Sequence, residues 1–314
     1  MPRRGANIRL IGLGLRSHSG RVTQTARLVV RPATAADMPE AHAVVREGLS
    51  SARDPAALEF YRASPGGQLI VACYGSRVVG VSYAASFGRT GWIGNVAVHP
   101  EARGRGIGTA VSQAALDALR RAGAVTVLLT ATKLGRPIYE KLGFGYDGLH
   151  YGMWRRSEEP AADGHPGSTT AGDETARGAA RDAVAEDAVI TGGIGDVAGL
   201  DAGATGEDRR HYLGSFAARA RVTRDGAGYR MPLPWGRGPV IASSADSAHA
   251  LLADLVRTEA EPFLAFPETN TAAAEVAASL GFRQVRNIPR MRFGAPVPGF
   301  RPDRIFNVFS FAVG

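Results

Sequence analysis

"VAVHPEARGRGIGTAVSQAALDAL", Val96 to Leu119, decides how this chain is read. The apolar run Val96-Ala97-Val98 has the β-branched character of a strand and stops at His99-Pro100. Arginine and glycine then alternate through Arg103-Gly104-Arg105-Gly106, with Gly108 one step on. From Ile107 the apolar residues Val111, Ala115, Leu116 and Leu119 keep the spacing of an amphipathic helix. The first amides of a helix have no internal partner, and its dipole adds positive character there. Glycines let a ligand approach the backbone closely. Arg103 to Gly108 therefore suits an anion, most simply a phosphate or pyrophosphate. The plain structural alternative is a tight strand–helix turn with exposed arginines.

Two familiar phosphate loops do not fit. A Walker loop needs Lys-Ser/Thr after its glycines. A dinucleotide-binding loop sits in the first strand–helix turn with an acid about 20 residues on. Here several strands precede the motif, and the next one, "TVLLTA", ends without an acid.

Outward from the elbow, Leu28-Val29-Val30 reads as a strand, and Thr34 with Asp37 as a capping box opening a helix towards Leu49. "LIVACYGSRVVGVSYAAS" reads as a hairpin around Gly75-Ser76, and "GWIGNVAV" as another strand. After the long helix, closed by Gly123, come a buried strand "AVTVLLTA", a short helix "GRPIYEKLGF" and a strand "GYDGLHYGMW". Residues 156–186 are rich in Ala, Gly, Asp, Glu, Ser, Thr and Pro and carry no aromatic residue, which predicts a flexible linker. Order resumes at about residue 187, including "GPVIASSADSAHALLADLV" as strand then helix, with Ser244 or Asp246 near its N-cap.

The chain repeats itself. "IYEKLGFGYDGLHYGM" (Ile138–Met153) and "VAASLGFRQVRNIPRM" (Val276–Met291) both carry Leu-Gly-Phe after a helix, with a Met ten residues beyond the Gly. The elements before each recur in the same order, so one fold is expected twice. The expected organisation is an extension over residues 1–26, outside the fold or an over-long start, a first domain over 27–155, the linker 156–186, and a second domain over 187–314.

Composition bounds the function. The chain has 314 residues, 45% of them hydrophobic, and a formal charge of +8. Lys133 and Lys141 are the only lysines; the arginines are scattered among acids, with no basic stripe interleaved with aromatics, so nucleic acid is not the expected partner. No apolar run approaches the ~20 residues of a membrane span, so no membrane is expected either. Cys73 is the only cysteine, which excludes a disulfide framework and fits a reducing compartment; a cytoplasmic protein is expected. The histidines show no metal-ligand spacing, and no metal is expected. The oligomeric state stays open.

The elbow, in this context, resembles the GNAT acetyltransferase superfamily. Its signature, Gln/Arg-x-x-Gly-x-Gly/Ala after the fourth strand, is matched by Arg103-x-x-Gly106-x-Gly108, and its Tyr before a Gly-Phe pair by Tyr139 in "YEKLGF". The match covers roughly residues 27–155. The second half is similar to the degenerate second domain of two-domain bacterial acetyltransferases. The resemblance implies an α+β fold: tandem GNAT-like domains, each a mixed, mostly antiparallel, splayed sheet flanked by helices.

It also implies a mechanism. Acetyl-CoA would lie where the fourth and fifth strands part, with the backbone of Val96, Ala97 and Val98 along the pantetheine arm. Arg103 and the amides of Gly104, Arg105, Gly106, Ile107, Gly108 and Thr109 would hold the pyrophosphate. A primary amine of a small molecule would then attack the thioester directly. Free alkylamines have a pKa near 10.4 and must first lose a proton; the leaving thiolate, of pKa about 8.5, can take one from a tyrosine of pKa about 10. Tyr139 is the implied acid. Two departures stand out. Thr132 occupies the position, seven before the Tyr, where the family often has Asn. No Asp or Glu lies on the fourth strand, and Asn95 is no base; Glu59 is one alternative. His99 at a strand end before Pro reads as structural. The second copy lacks the glycines and places Ala277 opposite Tyr139, so it is expected to bind no CoA and to cover the acceptor site. The reading from another class is a CoA-binding sensor without turnover.

Overall fold

The computed structural model describes residues 9–11, 27–49, 54–156, 188–191, 197–235 and 237–314. Most of the expected linker, and most of residues 1–26, lie outside them. Two compact units result. The first comprises residues 1–145 with Met291–Pro296 and Phe311–Val313; the second comprises Tyr146–Arg290, Val297–Ser310 and Gly314. The division therefore does not fall at the linker alone. The strand expected to end the first domain belongs to the second unit, and two short pieces of the second repeat belong to the first.

In the first unit the strands are β1 (Arg9–Ile11), β2 (Leu28–Pro32), β3 (Gly67–Tyr74), β4 (Arg77–Phe87), β5 (Thr90–Val98) and β6 (Thr126–Thr130), side by side in that order. All pairs are antiparallel except β5–β6, which is parallel. β1 lies in the segment expected outside the fold; Arg9, Leu10 and Ile11 pair with Val30, Val29 and Leu28. Met291–Gly294, the end of the strand β13 (Phe282–Gly294), lies beside β6.

The helices follow from their punctuation. Thr34 and Asp37 form the capping box ahead of α1 (Met38–Leu49). Asp54, accepting from the Ala56 amide, with Pro55 at the first position, opens α2 (Pro55–Ala63), which the apolar pattern alone does not reveal. α3 (Ile107–Arg121) lays Ile107, Val111, Ala115, Leu116 and Leu119 on one face of the sheet against Ile70, Ala72, Val79, Ala84, Ile93 and Val127. Gly80 makes the fit possible: a Cβ there would sit 2.5 Å from the Ile107 Cγ2. α4 (Arg136–Lys141) buries Tyr139 at the edge of the same core.

The second unit holds β7 (Gly145–Arg156, from Tyr146 on) paired antiparallel with β12 (Phe263–Pro267), and a five-stranded antiparallel sheet. That sheet runs β14 (Ile305–Asn307), β11 (Val240–Ala242), β10 (Gly228–Arg230), β9 (Arg221–Thr223), β8 (Val189–Thr191). The helix Ala245–Thr258 buries Leu251, Leu252 and Leu255 with Leu264, Phe266, Phe282 and Phe306. Buried charges are paired: Arg209 donates two bonds to Asp201, at 2.9 and 2.6 Å, and Arg290 donates to Asp147 at 2.7 Å. Among the described residues no helix is long and apolar enough to cross a membrane. As expected, the first unit is built on a mixed, mostly antiparallel sheet flanked by helices, and the second holds an antiparallel sheet with helices of its own.

Candidate active site

The site begins with an irregularity in β5. Val81 pairs with Ala97 and Tyr83 with Gly94, so Asn95 and Val96 together oppose the single residue Ser82. This is a β-bulge. Asn95, in the bulge, has a φ of +50°. Asparagine is among the non-glycine residues that tolerate this region best.

Beside the bulge the sheet opens. β5 and β6 pair only at Thr90–Trp92 and Thr126–Leu128; no residue of β5 beyond Trp92 pairs with β6. Val96, Ala97 and Val98 thus run along the open side of a fork, while their other edge stays on β4. Phe311–Val313 lie at this fork: the Thr130 hydroxyl donates to the Phe311 carbonyl at 3.4 Å, and a Cβ on Gly94 would fall 2.3 Å from the Ala312 Cα.

β5 then leads into the elbow. His99 Nδ1 accepts from the Glu101 amide at 3.4 Å and its Nε2 lies 3.2 Å from Glu47, so this histidine fastens the turn. Gly104 and Gly106 have φ of +75° and +73°, which explains glycine at both; a Cβ at either would meet nothing within 4 Å. Gly106 is the N-cap of α3 and has no side-chain capping bond. The first helical amide bonded back is that of Ala110, to Gly106. The amides of Ile107, Gly108 and Thr109 are therefore the open N-terminal donors of the helix, facing no cap. Gly108 has a different reason to be glycine: its Cβ would stand 3.0 Å from Ile138 of α4. Arg103 donates to the Gly48 carbonyl at 3.0 Å and so ties the elbow to the end of α1, whereas Arg105 is exposed.

Tyr139 is buried, its ring edge-on to Phe144 with centroids 6.2 Å apart. Thr132 and Tyr139 converge at Gly135: the Thr132 hydroxyl accepts from the Gly135 amide at 3.2 Å, and a Cβ on Gly135 would lie 3.0 Å from the Tyr139 ring. Burial pushes the Tyr139 phenol well above its ordinary value, so it holds its proton at neutral pH. Glu59, the alternative base, is paired with Arg62. Arg62 donates to it, holding its carboxyl below the usual range.

Sequence reasoning missed the contribution of Asn95, Gly94 and Phe311–Val313. The bulge had a signal, an asparagine inside a β-branched run. The approach of Phe311–Val313 had none, because more than 200 residues separate them from Gly94.

The second repeat differs at each of these points. Its strand β11 is paired on both sides, with β10 and β14, so no fork opens there. The N-cap of its long helix is Ser244, whose hydroxyl accepts from the Ser247 amide. Ala277, opposite Tyr139 in the repeat, is buried.

Comparisons with known proteins agree with this layout. An acetyltransferase (GNAT) family model matches residues 37–144, and an acetyltransferase (GNAT) domain model matches residues 197–307. No curated protein matches the chain. Among solved structures, a candidate acetyltransferase from Pyrococcus horikoshii is 21% identical, with a TM-score of 0.74 over 96% of this chain and 100% of its own. A GCN5-related N-acetyltransferase from Sphaerobacter thermophilus is 16% identical, with a TM-score of 0.55 over 90% of this chain and 97% of its own. Both share the fold. With a GNAT match on each repeat and the fork and open helix terminus of the first, the chain belongs to the GNAT acetyltransferases and carries two of their domains in tandem.

Proposed function

We propose that the first unit uses acetyl-CoA to acetylate a primary amine of a small molecule, by direct attack of the amine on the thioester. The observation that carries this reading is the fork between β5 and β6 set directly before an uncapped helix terminus with two left-handed glycines. An extended arm can pair with the free edge of Val96–Val98 as an added strand. A pyrophosphate suits the amides of Ile107, Gly108 and Thr109, with Gly104 and Gly106 leaving space and Arg105 adding charge. Acetyl-CoA, when bound, supplies the activated acyl group.

The attacking nitrogen must be neutral. Ile93–Val98 and Leu128–Thr132 include no Asp or Glu. An apolar fork lowers the pKa of an amine brought into it, because desolvation disfavours the cation. Tyr139 keeps its proton and in this reading returns one to the leaving sulfur. Its raised pKa makes it a weaker acid than a free phenol, so positioning rather than driving force is its contribution.

The second repeat binds no CoA in this reading, since its strand is paired on both sides and its helix is capped by its own serine. Its part at the site is the segment Phe311–Val313, which walls the acceptor side of the fork. The lone Cys73 fits a reducing, cytoplasmic setting. A second reading, a CoA-binding sensor without turnover, draws on the missing carboxylate. Calorimetry with acetyl-CoA and a thiol-release assay over a panel of amines test both. One site per chain with amine-dependent thiol release supports the enzyme; binding without release supports the sensor; no binding rejects both.

A further inference from the structure

One buried amide stands unpartnered on the stretch of β5 beyond its last pair with β6. Asn95 is only 6% exposed, and neither its amide oxygen nor its nitrogen has a partner among the described residues. Leaving such a group unsatisfied is costly, and native proteins seldom do so. The other two buried asparagines among the described residues are satisfied. The buried Asn307 accepts from the Ala265 amide at 2.7 Å and donates to the Gly238 carbonyl at 2.8 Å. Buried Asn270 accepts from the Ala273 amide at 3.0 Å and donates to the Asp303 and Ile305 carbonyls. Ser82, which opposes Asn95 across the ladder, also has no partner, so the two are not bonded to each other.

The φ of Asn95 accounts for asparagine or glycine at the bulge, yet not for an amide held unbonded. An amide open at both ends is matched by a ligand offering one acceptor and one donor together. A thioester carbonyl and the N–H of a neutral amine are that combination. We infer that Asn95 is the acyl-positioning residue of the first unit: its NH2 donates to the acetyl carbonyl and its oxygen accepts from the N–H of the incoming amine. This rests on the reading of the fork as the acetyl-CoA site. In the transfer the amine nitrogen bonds to the acetyl carbon and the carbon–sulfur bond breaks. The surplus amine proton ends on the sulfur, and Asn95 neither gains nor loses one.

The test is binding selectivity, which a bulge residue of purely structural role would not alter. Affinities of the full chain for acetyl-CoA and for CoA are measured by calorimetry in the parent, Asn95→Gly and Asn95→Asp. Glycine keeps the positive φ and removes the amide; aspartate keeps the shape and replaces the donor by a charge. The parent is expected to prefer acetyl-CoA. Asn95→Gly is expected to lose roughly five-fold of that preference, the size of one neutral hydrogen bond, with its CoA affinity within about two-fold of the parent. Asn95→Asp is expected to lose at least as much. Variants with unchanged preference, or a parent with none, overturn the inference and leave the enzyme reading standing. A parent that binds neither ligand removes both. Should the variants not fold, the parent decides: it has five asparagines, and one side-chain amide resonance must shift with acetyl-CoA and not with CoA. Identical spectra with the two ligands overturn the proposal.

Discussion

Gly94 of β5 lies so close to Ala312 that a Cβ on the glycine would stand 2.3 Å from the alanine Cα and 2.5 Å from its Cβ. The contact fixes Phe311–Val313 against the strand whose bulge forms the fork. Gly94→Ala is expected to destabilise the protein by ~1–3 kcal/mol, the usual cost of overpacking. Adding Ala312→Gly should not restore stability, because the nearest obstacle is backbone. Denaturant unfolding of both variants checks this; full rescue by the second change would place the segment elsewhere.

Gly106 separates backbone strain from ligand exclusion. Its φ of +73° makes any side chain unfavourable, but the space around it is open. Gly106→Ala is expected to cost roughly 1 kcal/mol of stability. Gly106→Glu should show a similar stability loss and, in addition, nearly abolish acetyl-CoA binding, by charge and by bulk at the helix terminus. Calorimetry with intact CoA affinity in the glutamate variant would remove the pyrophosphate assignment.

Tyr139→Phe removes only a hydroxyl from a buried ring. The expected result is a kcat lower by 10²–10⁴-fold with acetyl-CoA affinity unchanged, the range for loss of a general acid. Because burial raises the phenol's pKa, no loss of activity from Tyr139 ionisation is expected up to about pH 10. Steady-state rates across pH measure both.

Arg31 holds the start of the first unit by pH-dependent pairing. It donates two bonds to Asp37, at 2.7 and 2.8 Å, and the Thr34 amide and hydroxyl donate to the same carboxylate. The Arg31 bonds, followed by those of Thr34, hold this carboxyl well below the usual range. A depressed native pKa adds stability above the unfolded value near 3.9, and that stability is lost as pH falls through it. Asp37→Asn is expected to cost ~2 kcal/mol at pH 7. The gap to the parent should narrow between about pH 5 and about pH 2, when unfolding is followed by denaturant at each pH.

A chain ending at Arg156 would lack Met291–Pro296 and Phe311–Val313, and so part of the first unit. It would lose Met291 from the core, the Phe293 ring packed 5.7 Å from Phe144, and the Ala295 carbonyl that accepts from Thr126. It would also leave β7 without β12. Such a chain is expected to unfold without a cooperative transition, in contrast to the full-length protein. A sharp calorimetric transition in the truncated chain would show that the first repeat is self-sufficient.

What the sequence determines here is local. Turn and cap chemistry is written in neighbouring residues: the Thr34–Asp37 box, the glycines at 104 and 106 that only a left-handed backbone demands, and the Ser244 cap. Amphipathic spacing placed the face of α3, and the recurrence of Leu-Gly-Phe announced one fold used twice. The elbow followed from these, and its Arg103-x-x-Gly106-x-Gly108 motif carried the family resemblance. The tertiary structure alone decided where β5 and β6 part, that two residues oppose Ser82 and leave the Asn95 amide open, and that Ala312 closes on Gly94. It also decided that the two units exchange pieces of each repeat. The physical reason is range. Strand register and side-chain satisfaction depend on partners far along the chain, and a periodic apolar pattern says that a strand is buried without saying which strand lies beside it or where the pairing stops.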